Sequence, residues 1–245
     1  MDLTTVTTMK VYESLVKGRG TAKEAAIRTI DSKDASLNLE SLRILILNTL
    51  LKDFPPPKLA QQEDIKSSDT RCWLLSALGR LSNGDIDSSQ FVRRHLDQKW
   101  EPYNWARYWA LEGLVAGQAS DLKEIALKLA DSPEDPLVMS LAFCILAANY
   151  DDEALQYIQK KLSGNDGDKW SMLRALRVVP IVDTAIVRKL CEIVDNSGYS
   201  DLTFDAIVAL SKLHPDSQQG ETAAQTLSNY LIKYRWPMMR CEQRH

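Results

Sequence analysis

Residues 71–81 read RCWLLSALGRL, and residues 106–114 read ARYWALEGL. In both stretches the apolar residues recur at spacings of three and four, which is typical of a helix that buries one face. Arg71 and Arg107 stand at matching places, three residues before the pairs Leu74-Leu75 and Ala110-Leu111. Two helices that are this similar indicate an internal repeat, which is the strongest signal in the sequence.

The same kind of apolar pair recurs along the chain at nearly constant intervals. Successive pairs begin 28, 36, 32, 33 and 31 residues apart, and a second amphipathic stripe is expected between each pair and the next. One helical hairpin cannot cover its own apolar face, so neighbouring hairpins must stack. The spacing therefore predicts an all-α fold, a right-handed α-solenoid of about six to seven stacked helical hairpins. The pairs are Ile46-Leu47, Leu74-Leu75, Ala110-Leu111, Ala142-Phe143, Ala175-Leu176 and Ala206-Ile207.

Three segments are expected from this pattern. Residues 41–235 form the repeat array, residues 1–40 form an N-terminal capping hairpin or a mobile arm, and residues 236–245 form a C-terminal tail. Phe54-Pro55-Pro56-Pro57 marks a kink between hairpins or a weak domain boundary, because consecutive prolines cannot continue a helix. Residues 178–182, the one β-branched run, contain Pro180 and are predicted to connect two helices.

The composition predicts a soluble, cytoplasmic protein. Apolar residues make up 44% of the 245 residues and charged residues 26%, and the formal net charge is −3, so nucleic acid is not an expected partner and no membrane association is expected. The N-terminus does not resemble a signal peptide. The cysteines Cys72, Cys144, Cys191 and Cys241 lie far apart and mostly in apolar runs, which predicts reduced core thiols.

Residues suited to catalysis are few. The histidines are His95, His214 and His245, and none stands at metal-ligand spacing from another histidine or from a cysteine pair. No set of residues matches the requirements of an active site. We therefore expect a protein that is not an enzyme, with no catalytic residue, no metal and no cofactor.

The most unusual stretch of the chain is an aromatic cluster at residues 100–109. Large rigid rings are frequent in binding hot spots, so the cluster is a candidate binding site. The alternative is that the rings fill the wider gap where the repeat lengthens to 36 residues. As the site of a protein partner we predict Trp100, Tyr103, Trp105, Tyr108 and Trp109, together with Arg93 and Arg94.

Two groups of basic residues suggest different roles. Arg71 and Arg107 are expected to tie one hairpin to the next by binding a carboxylate or a loop carbonyl. The second helix of each hairpin carries further basic residues, such as Lys161 and Lys189, which form either a basic stripe for acidic partners or an ordinary solvated face of mixed charge.

The repeat resembles the short HEAT-like repeats of armadillo-type and phycobilin lyase-like proteins. Residues 71–81 fit the pattern of these repeats from Arg71 onward, and residues 106–114 fit it next best. Asp135-Pro136 reproduces the Asp-Pro turn with which the pattern begins. In later copies Met139 and Thr203 stand where the pattern has an arginine. The resemblance covers roughly residues 40–215 and bears on the fold more than on the function, because one fold hosts many activities. The function we expect is that of a non-enzymatic scaffold or adaptor that binds another protein through its concave face or its aromatic-rich edge. Two alternatives that the resemblance implies are a chromophore-handling factor like the phycobilin lyases and a HEAT-like DNA-binding protein or glycosylase.

Overall fold

The computed structural model describes residues 3–59, 64–131, 135–196, 198, 200–214 and 216–242, with the backbone alone for residues 3 and 235–242. Within these residues the chain is all-helical, with thirteen helices and no strand, which confirms the predicted all-α class. No helix in this part of the chain is both long enough and apolar enough to cross a membrane. The chain divides into two compact units, Met1–Leu122 and Lys123–His245.

The described part of the first unit contains six helices. α1 and α2 pack against each other and both contact α4. α1 also packs on α3, α3 packs on α4, α4 packs on α6, and α5 contacts both α4 and α6. The helices are α1 (Leu3–Lys17), α2 (Gly20–Asp31), α3 (Leu39–Asp53), α4 (Ile65–Leu81), α5 (Ile86–Arg94) and α6 (Asn104–Ala116).

The second unit contains helices that contact their next-but-one neighbours. α8 packs on α10 and α10 on α12, while α9 packs on α11 and α11 on α13. Contacts between α8 and α9, and between α12 and α13, join the set of α8, α10 and α12 to the set of α9, α11 and α13. The helices are α7 (Leu122–Ala130), which starts at the boundary, α8 (Pro136–Ala147), α9 (Asp152–Leu162), α10 (Asp166–Leu176), α11 (Thr184–Asn196), α12 (Asp201–Leu210) and α13 (Gln218–Glu242).

The six predicted apolar pairs lie on α3, α4, α6, α8, α10 and α12, and the first member of every pair is 0% exposed. One part of the prediction is wrong. No second helix follows α3 among the described residues, because the chain from Phe54 to Leu59 is irregular at its prolines. The first interval, of 28 residues, is the shortest of the five.

Glycines allow α4 and α6 to approach very closely. A Cβ atom on Gly113 would lie 2.5 Å from the carbonyl oxygen of Ser76, and one on Gly79 would lie 2.6 Å from the carbonyl carbon of Gly113. Real side chains never come so near, so only glycine fits at these two positions. Gly79 and Gly113 are therefore requirements of the packing between α4 and α6.

The structure also shows where the other segments named in the sequence analysis lie. Residues 178–182 connect α10 to α11 without forming a strand, as predicted. The boundary between the units lies after Leu122, inside the predicted array, and not at the proline segment. The predicted tail of residues 236–245 begins within α13, and its side chains, including that of Cys241, lie outside the described residues. Cys72, Cys144 and Cys191 are buried free thiols, as predicted.

Candidate partner-binding surface

A groove lies between the N-terminal parts of α4 and α6, both in the first unit. Its volume is about 250 Å³. Ile65 at its edge is 87% exposed, whereas Cys72 is 4% exposed. We call this surface the aromatic groove; it is lined by Ile65, Ser68, Asp69 and Cys72 of α4 and by Tyr103, Trp105 and Trp109.

The periodicity of α6 decides which of its rings face the groove. Trp105 and Trp109 stand four residues apart and share a face, and both are half-buried. Tyr108 points into the core and is only 5% exposed. Its ring meets the rings of Trp105 and Trp109 edge-on, with centroids 6.0 Å and 6.3 Å away. Tyr108 therefore supports the two tryptophans from below and is not available to a partner.

A tryptophan of α4 completes the aromatic surface. The ring of Trp73 lies 4.6 Å from that of Trp109, at an interplanar angle of 41°. The indole Nε1 of Trp73 donates a hydrogen bond of 3.1 Å to Asp69, and Lys23 Nζ donates one of 2.6 Å to the other oxygen of that carboxylate. Trp73 was not part of the predicted site, but it stands in the same repeat position as Trp109, 36 residues earlier. The repeat register was the signal that could have found it.

A buried ion pair fixes the segment that leads into α6. The Arg71 guanidinium donates to the Glu101 carboxylate through Nε at 2.9 Å and Nη2 at 3.0 Å. Arg107 Nη1 donates to the carbonyl oxygen of Glu101 at 2.6 Å, and the backbone amide of Tyr103 donates to Oε1 at 3.0 Å. Arg71 thus joins α4 to the segment before α6 through a carboxylate, as predicted, whereas this Arg107 bond binds a loop carbonyl within its own segment. Because the backbone of Tyr103 is hydrogen-bonded to Glu101, the ring of Tyr103 is held at the groove.

Trp100 lies in a separate group and does not line the groove. Its ring is 36% exposed, and the Arg94 guanidinium stacks 3.6 Å above the ring centroid. His95 approaches the same ring edge-on at 6.5 Å and is 0% exposed. Burial lowers the pKa of His95 to about 4, against the effect of its hydrogen bond to the carbonyl of Phe91. His95 is therefore a neutral core residue at physiological pH.

Arg93 is engaged within the first unit. Its Nε and Nη2 donate to the two carboxylate oxygens of Asp121 at 2.9 Å and 2.5 Å. Such a two-bond ion pair matches the planar guanidinium to the carboxylate. Of the seven predicted binding residues, the structure thus brings Tyr103, Trp105 and Trp109 together, places Trp100 with Arg94, pairs Arg93 with Asp121 and buries Tyr108.

The aromatic groove offers mainly apolar contact area. Its walls are aromatic and aliphatic, and its carboxylate, Asp69, is hydrogen-bonded to Lys23 and Trp73. Among the described residues, no three of the metal-ligating type stand close enough to share a metal ion. The groove offers stiff apolar area with a polar rim, the composition found at sites that bind proteins.

The fold and the groove thus define an all-helical protein with an aromatic surface in its first unit. No family model matches the chain, and neither a curated protein nor a solved structure shows significant similarity to it.

Proposed function

We propose that this chain is a non-enzymatic interaction module that docks a partner protein in the aromatic groove. The observation that carries the proposal is the set of half-buried rings, Tyr103, Trp105 and Trp109, arranged around one groove with Trp73 behind them. Tryptophan and tyrosine lose little conformational entropy on binding and supply much contact area, which makes them frequent anchors of interfaces.

The rigidity of the groove supports this proposal. Its α4 wall and its α6 wall approach closely at Gly79 and Gly113, and the segment before α6 is fixed by the buried pair of Arg71 and Glu101. A surface that is already ordered loses less entropy when it binds. The aromatic groove therefore meets a physical condition for a specific docking site.

The packing of the helices supports a second part of the proposal, that the chain is an array of HEAT-like hairpins. In the second unit α8, α10 and α12 contact one another in order, and so do α9, α11 and α13. In the first unit α3, α4 and α6 do the same. Contacts between successive repeats are what stacked hairpins require. Arrays of this kind are common scaffolds for proteins, which agrees with a docking function.

The alternative of nucleic-acid binding lacks comparable support. It requires a row of basic side chains that can reach phosphates. Several basic side chains of the second helices instead lie in ion pairs: Arg93 with Asp121, Lys161 with Asp168 at 2.5 Å and Lys189 with Glu192 at 2.9 Å. No specific observation favours a chromophore-handling factor either.

A crosslinking experiment tests the proposed function. A photo-crosslinking amino acid at position 105, in the full chain expressed in its native cells, should capture one partner that mass spectrometry identifies. That purified partner should then bind a Trp109→Ala variant at least roughly tenfold more weakly than the unchanged chain. Trp170→Ala removes a half-buried tryptophan of the second unit and is the matched control, which should bind normally. Equal binding by the Trp109→Ala variant, with its fold intact by circular dichroism, would refute the proposal.

A further inference from the structure

A second groove, in the second unit, is formed by two neighbouring turns. The turn between α8 and α9 contributes Tyr150, and the segment between α10 and α11 contributes Pro180 and Val182. Leu155 of α9 also lines this groove, and the volume is about 320 Å³. We propose that this surface, the loop groove, binds an extended basic segment of a partner protein. It shares no residue with the aromatic groove, so the inference does not depend on the function proposed above.

Tyr150 is the first reason for this inference. Its side chain is 92% exposed, and its backbone has a φ of +62°, a left-handed conformation that tyrosine rarely adopts. The turn is nevertheless well defined, because the amide of Tyr150 donates to the carbonyl of Ala147 at 3.0 Å. Glycine or asparagine would serve such a turn with less strain. Strained residues of this kind concentrate at functional sites, and here the strain presents an aromatic ring to solvent.

The segment opposite Tyr150 is apolar and irregular. Ile181 is 5% exposed and anchors the segment in the core, whereas Val182 is 57% exposed and Pro180 also lies at the surface. Among the described residues, the backbone amide of Val182 has no hydrogen-bond partner. An extended peptide could accept a hydrogen bond from this amide while its apolar side chain enters the groove. The two turns together therefore offer both kinds of contact that extended peptides use.

The charges around the loop groove select a basic occupant. Asp183 lines the groove, and no lysine or arginine does. Asp152 and Glu153, the next residues along the chain from the Tyr150 turn, are exposed and have no ion-pair partner among the described residues. Asp151 and Asp183 accept hydrogen bonds from the backbone amides at the starts of α9 and α11. Such caps stabilise the helix ends, but they leave the negative charges in place. Complementary charge on a partner would favour encounter with this surface over acidic competitors.

Peptide selection on the purified full chain tests the inference. The probe is a display library of random peptides of roughly 12 residues, which is long enough for an extended segment to cross the groove. Peptides recovered on the unchanged chain should combine lysine or arginine with an apolar residue. Each selected peptide is then measured against a Tyr150→Gly variant and against the control Phe204→Ala, which removes another exposed ring of the same unit.

The expected result is a loss of affinity of roughly tenfold or more for Tyr150→Gly and no loss for Phe204→Ala. Because glycine accepts the left-handed conformation, the thermal midpoint of Tyr150→Gly should be equal to or above that of the unchanged chain, which separates lost contact from lost fold. The double variant Asp152→Asn with Glu153→Gln should also weaken binding. The inference is overturned if no peptide is enriched, if the enriched peptides are acidic, or if they bind the Tyr150→Gly variant equally well.

Discussion

Arg71 and Glu101 form a two-bond ion pair from which water is excluded, since both side chains are 0% exposed. The pair joins α4 to the segment before α6, across 30 residues of sequence. Removing a charge from water is unfavourable, and only the opposite charge and good hydrogen bonds offset that penalty here. Each of the two buried charges is therefore stabilised by the presence of the other.

Replacing Arg71 alone should destabilise the protein strongly. In an Arg71→Met variant the Glu101 carboxylate is left buried without its partner, and the free energy of unfolding should fall by about 3–5 kcal/mol. Urea denaturation followed by circular dichroism measures this change. The double variant Arg71→Met with Glu101→Leu is the control, because it removes both charges. It should be more stable than the single variant, and an equally low or lower stability would show that the charges are not coupled.

The close approach of α4 and α6 leads to a second prediction. Gly113→Ala places a methyl group 2.5 Å from the Ser76 carbonyl oxygen, so the two helices must separate. Overpacking of this kind should lower the free energy of unfolding by about 1–3 kcal/mol in urea denaturation. Gly20→Ala is the matched control, because a Cβ atom there meets nothing within 4 Å. The control should be neutral or slightly stabilising, and similar losses at both sites would contradict the packing argument.

The sequence predicts the fold where the apolar residues are regularly spaced. The pairs at Leu74 and Ala110 are visible because burial of one helix face imposes a spacing on apolar residues, and the first member of each of the six pairs is buried. A regular repeat predicts a second helix after α3, and the described residues there lack one because the prolines at positions 55–57 interrupt the helical backbone. Local breaking of a helix is decided by single residues, and an average periodicity cannot show it.

The candidate site was predicted only in part, for a different reason. Trp105 and Trp109 were found because they lie close together in the sequence, whereas Trp73 lies on another helix and joins them only through packing. Likewise, the partner of Arg93 is Asp121, 28 residues later, and the sequence alone contains no sign of that pairing. Contacts between helices that lie far apart in the sequence depend on how the helices pack, which a cluster along the chain does not reveal.

Burial of the Cys144 thiol leads to a third prediction. Cys144 is 0% exposed, and its burial raises the pKa of the thiol well above the ordinary value. Since the thiolate is the reactive form, iodoacetamide at pH 8 should not label Cys144 in the folded protein and should label it fully in urea. Peptide mass spectrometry measures the extent of labelling. A Gln90→Cys variant supplies an exposed thiol as the control, and labelling of Cys144 at the same rate would show that the core opens readily.

His95 gives the protein a pH dependence whose direction can be stated. Burial lowers its pKa in the folded protein to about 4, whereas in the unfolded chain the ordinary value of 6.5 applies. Between these two values the unfolded state binds the proton more readily, so the stability that the neutral His95 contributes is complete above pH 6.5 and is lost as the pH falls toward 4.

A His95→Phe variant should lack this part of the pH dependence. At pH 7 it should be less stable than the unchanged chain by about 1 kcal/mol, because the hydrogen bond from Nδ1 to the Phe91 carbonyl is lost. Between pH 7 and pH 4.5 the unchanged chain should lose about 2–3 kcal/mol more than the variant, as follows from the difference in pKa. Urea denaturation at a series of pH values measures both curves, and the groups that titrate in both proteins cancel in the comparison. His214→Phe removes a histidine whose side chain is 76% exposed and is the control for the substitution itself. Parallel curves for the His95→Phe variant and the unchanged chain would mean that His95 titrates alike in the folded and unfolded states, and that its site admits water.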